Sequence, residues 1–212
     1  ASGKGTLASE VARRLGYHYL DSGSLYRLTG LAARRAGLSL ENPDEARLTT
    51  LAQQLPVRFV ADRILLAGED VSDAIRTEAA GMDASRVSAL PGVRQALLDL
   101  QRCFALPGLV ADGRDMGTVI FPHAPLKIYL TAGAPERAER RHKQLISKGI
   151  PAKLDSLRAD LEARDARDQT RAAAPLKPAQ DALLLDNSHL TIEQSVDQVL
   201  NWWQERQPFR PS

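Results

Sequence analysis

Residues 1–6 read Ala1-Ser2-Gly3-Lys4-Gly5-Thr6 and continue into an apolar pattern with helical spacing at Leu7, Val11 and Leu15. This is the second half of a phosphate-binding loop, G-x-x-x-x-G-K-[ST], whose backbone N–H groups bind phosphate oxygens between a strand and a helix. Lys4 adds a positive charge, and the glycines allow the backbone to approach an anion. A flexible Gly/Ser terminus is the alternative. We expect the first glycine of the loop and a central strand of the sheet to precede Ala1.

The composition is that of a folded globular protein. Of the 212 residues, 43% are hydrophobic and 25% are charged, and the formal net charge is +2. This charge is too small to indicate a nucleic-acid partner. No run of residues approaches the ~18 apolar residues that a membrane span needs. We therefore expect a cytoplasmic protein that binds neither membranes nor nucleic acids.

Cys103 is the single cysteine, so an intramolecular disulfide is excluded and a reducing compartment is favoured. It lies in the apolar row Leu97, Leu100 and Phe104 of a predicted helix. We therefore expect a buried structural thiol, with a nucleophilic cysteine as the alternative.

Apolar periodicity and helix-ending residues predict alternating helices and strands. Residues 56–67 predict a small antiparallel hairpin. Short apolar runs that end in polar residues predict buried parallel strands at 17–20, 109–111, 127–130 and 182–185. Helices are predicted at Thr6–Leu15, at Ser24–Ala36, from Pro43, at 74–88, 92–105, 134–147 and 153–167, and at 191–206 with a Thr191–Gln194 capping box. The alternation indicates an α/β fold, a parallel sheet flanked by helices, whose ligands bind at the C-terminal strand ends.

Two polar clusters follow predicted strands. In the first, Asp21-Ser22-Gly23 precedes Tyr26-Arg27, and Arg27 can bind phosphate oxygens bidentately. A solvated arginine beside a helix cap is the alternative. In the second, Asp112-Gly113-Arg114-Asp115-Met116-Gly117-Thr118, Arg114 can bind a phosphate and Asp115 can accept hydrogen bonds from a ligand. A charged turn is the alternative there.

A third cluster lies on a predicted helix. Arg164, Arg167 and Arg171 share one face, beside Asp165 and Asp168. Such a run is commonly a solvated face with ion pairs. In a phosphoryl-transfer protein, such arginines neutralise the charge of the transition state. The Arg137–Arg141 cluster would add positive charge.

The motifs together resemble those of bacterial cytidylate kinases, a branch of the P-loop nucleoside monophosphate kinases. The similarity covers essentially the whole chain, and the 112–118 block with the 56–67 hairpin distinguishes the cytidylate branch. It is carried by Gly3-Lys4-Gly5-Thr6, Leu20-Asp21-Ser22-Gly23 with Tyr26-Arg27, Ala111–Pro122, and Arg164–Arg171 followed by Ala174-Pro175.

We expect a monomer, because the sequence shows no obvious exposed apolar stripe. The resemblance implies a single kinase domain over residues 1–212. Its core would be 1–21, 106–146 and 172–212. A nucleoside-monophosphate-binding segment with the antiparallel insert would cover about 22–105, and a helical lid about 147–171. The implied reaction moves the ATP γ-phosphoryl to CMP or dCMP.

The resemblance also implies roles for individual residues. Arg27 and Arg114 would bind the CMP phosphate. The cytosine would be surrounded by Ser22, Ser85, Arg94 and Asp115. Arg164, Asp168 and Arg171 would reach the CMP ribose and the phosphates, and Lys4, Arg114, Arg164 and Arg171 would be catalytic. The ATP phosphates would be bound by Ala1, Ser2, Gly3, Lys4, Gly5 and Thr6, with Mg²⁺ held by phosphates, water and Thr6.

Two other functions fit parts of this pattern. A sister kinase for UMP, AMP or another phosphate acceptor would keep both phosphate sites. A nucleotide-sensing module would bind ATP without transferring a phosphoryl group. A nucleic-acid binder is poorly supported, because the basic residues have no interleaved aromatic residues.

Overall fold

The structure is a computed structural model that describes residues 3–60, 63–104, 108–170 and 177–206, without the side chains of Arg164 and of 167–170. The chain forms two compact units. One is Leu20–Gly113, and the other combines Ala1–Tyr19 with Arg114–Ser212. The predicted nucleotide-binding segment, about 22–105, therefore falls within the Leu20–Gly113 unit, which also includes 106–113 of the predicted core. The further division into core and lid stays a prediction.

Helices and strands alternate along both units. The helices are α1 (Lys4–Leu15), α2 (Ser22–Arg35), α3 (Glu45–Gln53), α4 (Glu78–Ser88), α5 (Pro91–Cys103), α6 (Ala134–Ser147), α7 (Leu154–Thr170) and α8 (Ile192–Arg206). The strands are β1 (His18–Asp21), β2 (Val57–Val60), β3 (Arg63–Leu66), β4 (Glu69–Asp70), β5 (Leu109–Asp112), β6 (Ile128–Thr131) and β7 (Leu183–Asp186). A 3₁₀ turn, Ala74–Arg76, and a π-helix, Met116–Ile120, complete the regular structure of the described residues.

Strand pairing confirms the predicted α/β class with a small antiparallel sheet. Strand β6 runs parallel to β7, with Ile128 opposite Leu183 at the start of the register. Strand β1 pairs with β5. The predicted hairpin is β2 with β3, antiparallel, and β4 adds a third strand that the sequence did not predict.

In the unit that contains both chain ends, α1 packs against α8. Leu7, Val11 and Ala12 are buried on α1, and Val196 and Val199 are buried on α8. This spacing of the buried residues on each helix is that of a single apolar face, so burial of these faces stabilises the pair. Helix α8 starts with the predicted capping box between Thr191 and Gln194, in which each side chain accepts a hydrogen bond from the other residue's backbone N–H.

In the Leu20–Gly113 unit, α2 packs closely against α4. An ideal Cβ at Gly30 on α2 would lie 2.9 Å from Cβ of Asp83 on α4. One at Gly81 on α4 would lie 3.2 Å from Nη2 of Arg27 on α2. Two glycines thus allow the two helices to approach closely. This approach brings the side chain of Arg27, from α2, into contact with α4.

Two predicted helix starts were wrong, because in each case an aspartate caps the helix at a position other than the predicted one. Asp21 accepts a hydrogen bond from the Ser24 backbone N–H (3.3 Å), so α2 begins at Ser22 rather than Ser24. Asp44 accepts one from the Arg47 N–H (3.1 Å), so α3 begins at Glu45 rather than Pro43. A third prediction, one helix over 74–88, was wrong because Thr77 is extended and starts α4 after the 3₁₀ turn.

The prediction of a buried Cys103 was also wrong, because its side chain is exposed. The buried face of α5 consists of Val93, Ala96, Leu97 and Gln101. Cys103 lies two residues after Gln101, about 200° around the helix. Gln101 occupies the buried position, where its Nε2 donates to the carbonyl oxygen of Leu97 (3.0 Å).

Candidate active site

The start of α1 is arranged to bind an anion. Gly3 lies before the helix with φ +77°, a left-handed conformation that favours glycine. The N-cap residue, Gly3, has no side chain to cap this end, and the first turn contains no acidic residue. Because the first N–H groups of a helix have no partner within the helix, they attract phosphate. Lys4 is half-buried and Thr6 is exposed in this turn, whereas the predicted ligands Ala1 and Ser2 lie outside the described residues.

Ser22 is placed by the cap of α2. It is buried at the first position of the helix, directly after Asp21. The Asp21 carboxylate accepts hydrogen bonds from the Ser24 backbone N–H and, at 2.8 Å, from the Ser24 hydroxyl. The predicted polar turn at the end of β1 is therefore an ordered helix start.

Arg27 lies across the beginning of α4. Its Nη1 donates to the carbonyl oxygens of Ile75 (2.8 Å) and Thr77 (3.2 Å). Gly81 leaves room for the guanidinium, whose Nη2 lies 3.2 Å from the Cβ position of that glycine. These contacts hold the guanidinium of Arg27 in one place, so it is not the solvated arginine of the alternative interpretation.

Ser85 and Arg94 are both linked to Ser88. The Ser88 hydroxyl donates to the Ser85 carbonyl oxygen (2.9 Å), and the Ser88 carbonyl oxygen accepts from Arg94 Nη1 (3.4 Å). The side chain of Ser85 is exposed on α4, and that of Arg94 is half-buried on α5. The structure thus brings these two predicted ligands to the junction of α4 and α5.

An ionic network that the sequence did not indicate fixes α4 on α2. Asp83 on α4 accepts two hydrogen bonds from Arg34 on α2 (2.9 and 3.1 Å) and one from Arg86 (3.0 Å). Arg34 also binds Glu41 (2.7 Å). The Arg34 guanidinium lowers the pKa of the Asp83 carboxyl and lowers the pKa of Glu41 to about 2.

Asp115 begins an unusual turn. The carbonyl oxygen of Asp115 accepts hydrogen bonds from the backbone N–H groups of Val119 (2.9 Å) and Ile120 (3.2 Å), and that of Met116 accepts from Phe121 (2.7 Å). These bonds form the π-helix Met116–Ile120. Such helices are rare and occur frequently at functional sites. The structure therefore places Arg114 and Asp115, both half-buried, immediately before a wide turn that is held by its own backbone.

The sequence matches the family model described as cytidylate kinase over residues 1–205. The chain belongs to the cytidylate kinase family. The cytidylate kinase of Cupriavidus necator is 58% identical over 209 residues, which cover 98% of this chain and 93% of that protein. That of Cupriavidus pinatubonensis is 59% identical over 204 residues, 96% of this chain and 91% of the relative. That of Chromobacterium violaceum is 57% identical over 208 residues, with 98% and 93% covered.

Membership of the cytidylate kinase family confirms the predicted resemblance and the predicted enzyme class, a nucleoside monophosphate kinase. Within the ranges that the structure describes, no three His, Cys, Asp or Glu side chains are grouped to hold a metal ion. No helix among those residues is long and apolar enough to cross a membrane.

Among the described side chains, Arg137 links α6 to α7, the predicted lid helix of this cytidylate kinase family member. Arg137 on α6 forms a bidentate ion pair with Asp165 on α7, with Nη1 2.9 Å from Oδ1, and its Nε donates to the Ala132 carbonyl oxygen (3.0 Å). The side chains of Arg164 and Asp168, and all of Arg171, lie outside the described residues.

Two arginines of the predicted Arg137–Arg141 cluster are bonded to other parts of the protein, and one of them, Arg137, has an acidic partner. Arg137 pairs with Asp165, and Arg140 donates to the carbonyl oxygen (2.6 Å) and to the side-chain oxygen (3.2 Å) of Asn187, which is buried. Both arginines therefore connect α6 to neighbouring segments. The pairing of Asp165 with Arg137 was not predicted, because the two residues lie 28 positions apart.

Proposed function

We propose that this chain transfers the γ-phosphoryl group of ATP to CMP or dCMP and releases CDP or dCDP with ADP. The proposal rests on one observation above all, the start of α1, where a glycine occupies the N-cap and the first turn contains Lys4 but no acidic residue. This arrangement suits the phosphates of a nucleoside triphosphate. Membership of the cytidylate kinase family supplies the acceptor.

The donor would be bound by residues 1–6. The backbone amides of this loop would contact the phosphate oxygens, and Lys4 would neutralise part of their charge. Thr6 is exposed in the first turn of α1. An exposed hydroxyl suits Mg²⁺, which usually keeps several water ligands and is seldom enclosed in an all-protein cage. Held beside Thr6, Mg²⁺ would supply positive charge that stabilises the negative charge developing on the phosphates.

The acceptor would be bound by arginines at its phosphate and by polar side chains at its base. Arg27 and Arg114 would bind the CMP phosphate. Ser22, Ser85, Arg94 and Asp115 would contact the cytosine. The fixed position of the Arg27 guanidinium supports its role, because a prepositioned fork loses little freedom on binding phosphate.

The lid would complete the transition-state environment. Arg164, Asp168 and Arg171 would approach the ribose and the phosphates, and the arginines would neutralise the charge of the moving phosphoryl group. No covalent intermediate or strong base is required, because alignment and charge neutralisation account for catalysis of this kind. Closure over both nucleotides would also exclude water as a competing acceptor.

The proposal includes a monomeric kinase with one domain over 1–212, acting in the cytoplasm without membrane or nucleic-acid partners. The single cysteine suits a reducing compartment. Size-exclusion chromatography with light scattering tests the monomer.

The direct test is ADP release from ATP·Mg²⁺ with CMP, dCMP, UMP or AMP as the acceptor. Fast turnover with CMP and dCMP, and little with AMP, is the expected result. Turnover with UMP or AMP alone would assign the chain to a sister activity. ATP binding without release of ADP on addition of any acceptor would favour a nucleotide sensor and refute the proposal.

A further inference from the structure

Lys127, immediately before β6, has an unusually buried side chain for a lysine. The side chain is only 8% exposed. Its ammonium group donates to the carbonyl oxygen of Pro122 (2.6 Å) and to Oδ1 of Asp181 (2.9 Å). Because a buried charge is unfavourable unless it is paired and hydrogen-bonded, these two contacts compensate for its removal from water.

The methylene stem of the same side chain covers Gly117. An ideal Cβ at Gly117 would lie 3.1 Å from Cδ and 3.3 Å from Cγ of Lys127. Gly117 is the second residue of the π-helix, and Pro122 follows two residues after its end. One side chain therefore contacts the segment 116–122 near both of its ends.

This segment is coupled to Asp115 through the backbone. The N–H groups of Val119 and Ile120 both donate to the Asp115 carbonyl oxygen. A displacement of the segment would therefore rotate the peptide unit of Asp115, beside Arg114. We propose that Lys127, anchored by Asp181, is a positioning residue that sets the orientation of Arg114 and Asp115 toward the acceptor nucleotide. The acceptor part of this inference rests on the function proposed above.

The decisive variant is Lys127→Met, which keeps an unbranched stem over Gly117 and removes the ammonium group. Amide hydrogen exchange of Val119, Ile120 and Phe121 measures the stability of the π-helix hydrogen bonds that these N–H groups donate, and it needs no nucleotide. Exchange at these amides should become about 10- to 100-fold faster, the loss expected for hydrogen bonds to a charged group. Lys177→Met, the same change at an exposed lysine of the same unit, should leave exchange unchanged.

Kinetics of the full chain provide the second measurement. Lys127→Met should lower kcat/KM for CMP by about 100-fold, because small misplacements of binding groups have effects of this size. The Kd for ATP should stay within about twofold, which general destabilisation would not produce. Asp181→Asn keeps an acceptor for Lys127 and removes the charge, so an intermediate effect is expected. Asp181 is 62% exposed, so this variant should fold even if Lys127→Met does not.

The outcomes separate this inference from the function on which it rests. Unchanged exchange at Val119–Phe121 in both variants would overturn it, whatever the activity. Equal losses for CMP and ATP would also overturn it, because the residue would then act on the whole fold. Faster exchange in Lys127→Met, combined with a wild-type chain that does not phosphorylate CMP, would refute the proposed function and support the contact between Lys127 and the π-helix.

Discussion

Replacing Gly30 by alanine would place a methyl carbon 2.9 Å from Cβ of Asp83 on the facing helix α4. Carbon atoms in van der Waals contact are about 3.5–4.0 Å apart. The Asp83 Cβ is bonded to its own backbone, so rotation of the side chain cannot relieve the contact. The Asp83 carbonyl carbon and the Ala84 nitrogen lie 3.4 and 3.6 Å from the same methyl carbon. Helix α4 must therefore move away from α2.

The magnitude follows from two opposing effects. Inserting a methyl group into a packed interface costs about 1–3 kcal/mol. Replacing glycine inside a helix by alanine returns up to about 1 kcal/mol. With the full return, Gly30→Ala should lower the free energy of unfolding by up to about 2 kcal/mol, and it should be less stable than the control variant below. Gly81→Ala is the matched control, because its methyl group would meet the terminal Nη2 of the Arg27 side chain at 3.2 Å, and a side-chain end can be displaced without moving a helix. Its stability should stay within about 1 kcal/mol of the wild-type value.

The assay is urea unfolding of the three proteins, followed by circular dichroism. Calorimetry with CMP adds a functional comparison, since Gly81→Ala should displace the Arg27 guanidinium and weaken CMP binding with little loss of stability. If Gly30→Ala is as stable as Gly81→Ala, the close approach of α2 and α4 at Gly30 does not constrain the fold, and the reasoning is refuted.

Three further predictions concern charge. Arg34→Gln should reduce the loss of stability on acidification from pH 4.5 to about 2. Arg34 holds the pKa values of Glu41, about 2, and Asp83 below those of the unfolded chain, so their stabilisation is present above pH 4.5 and lost as pH falls. The midpoints of urea unfolding at pH 6 and pH 3 measure this loss of stability. A loss in Arg34→Gln equal to that of the wild type would contradict the prediction. Lys4→Ala should lower kcat by about 10²–10³-fold with an unchanged unfolding curve, and near-normal turnover would contradict the role of Lys4. Asp115→Ala should raise the Kd for CMP and not that for ATP, as measured by calorimetry, whereas equal losses would argue against contact with the base.

Local signals predicted most of the secondary structure. Gly16, with φ +66°, ends α1 at the predicted position, because a glycine accepts the left-handed conformation after a helix. The hairpin of β2 and β3 follows from two short, mainly apolar runs, 57–60 and 64–66, on either side of residue 62. In both cases the deciding residues are neighbours in sequence.

Contacts between distant residues could not be predicted in this way. Arg27 binds Ile75 and Thr77, which are 48 and 50 residues away. The π-helix, which Lys127 contacts from outside the segment, was not predicted, since Val119-Ile120-Phe121 has no distinctive periodicity. Two helices start at positions other than the predicted ones, after the capping residues Asp21 and Asp44. Several neighbouring polar residues could have served as each cap, so the sequence did not show which one does.

The candidate site was predicted by motif rather than by geometry. Residue types near strand ends suggested phosphate and base ligands, and the resemblance to a family assigned their roles. The structure adds what holds them: backbone carbonyls at Arg27, the Ser88 link at Arg94 and the wide turn after Asp115. These supports consist largely of backbone groups. Because almost every residue type has the same backbone groups, the sequence does not show which of them hold a site.

The exposed thiol of Cys103 makes the chain suitable for site-specific labelling without any mutation. It is the single cysteine of the sequence, and it lies at the end of α5 in the Leu20–Gly113 unit. A maleimide fluorophore would therefore attach at one known position. Its emission would report on the environment of that unit during nucleotide titrations, while Trp202 and Trp203 on α8 provide intrinsic fluorescence from the other.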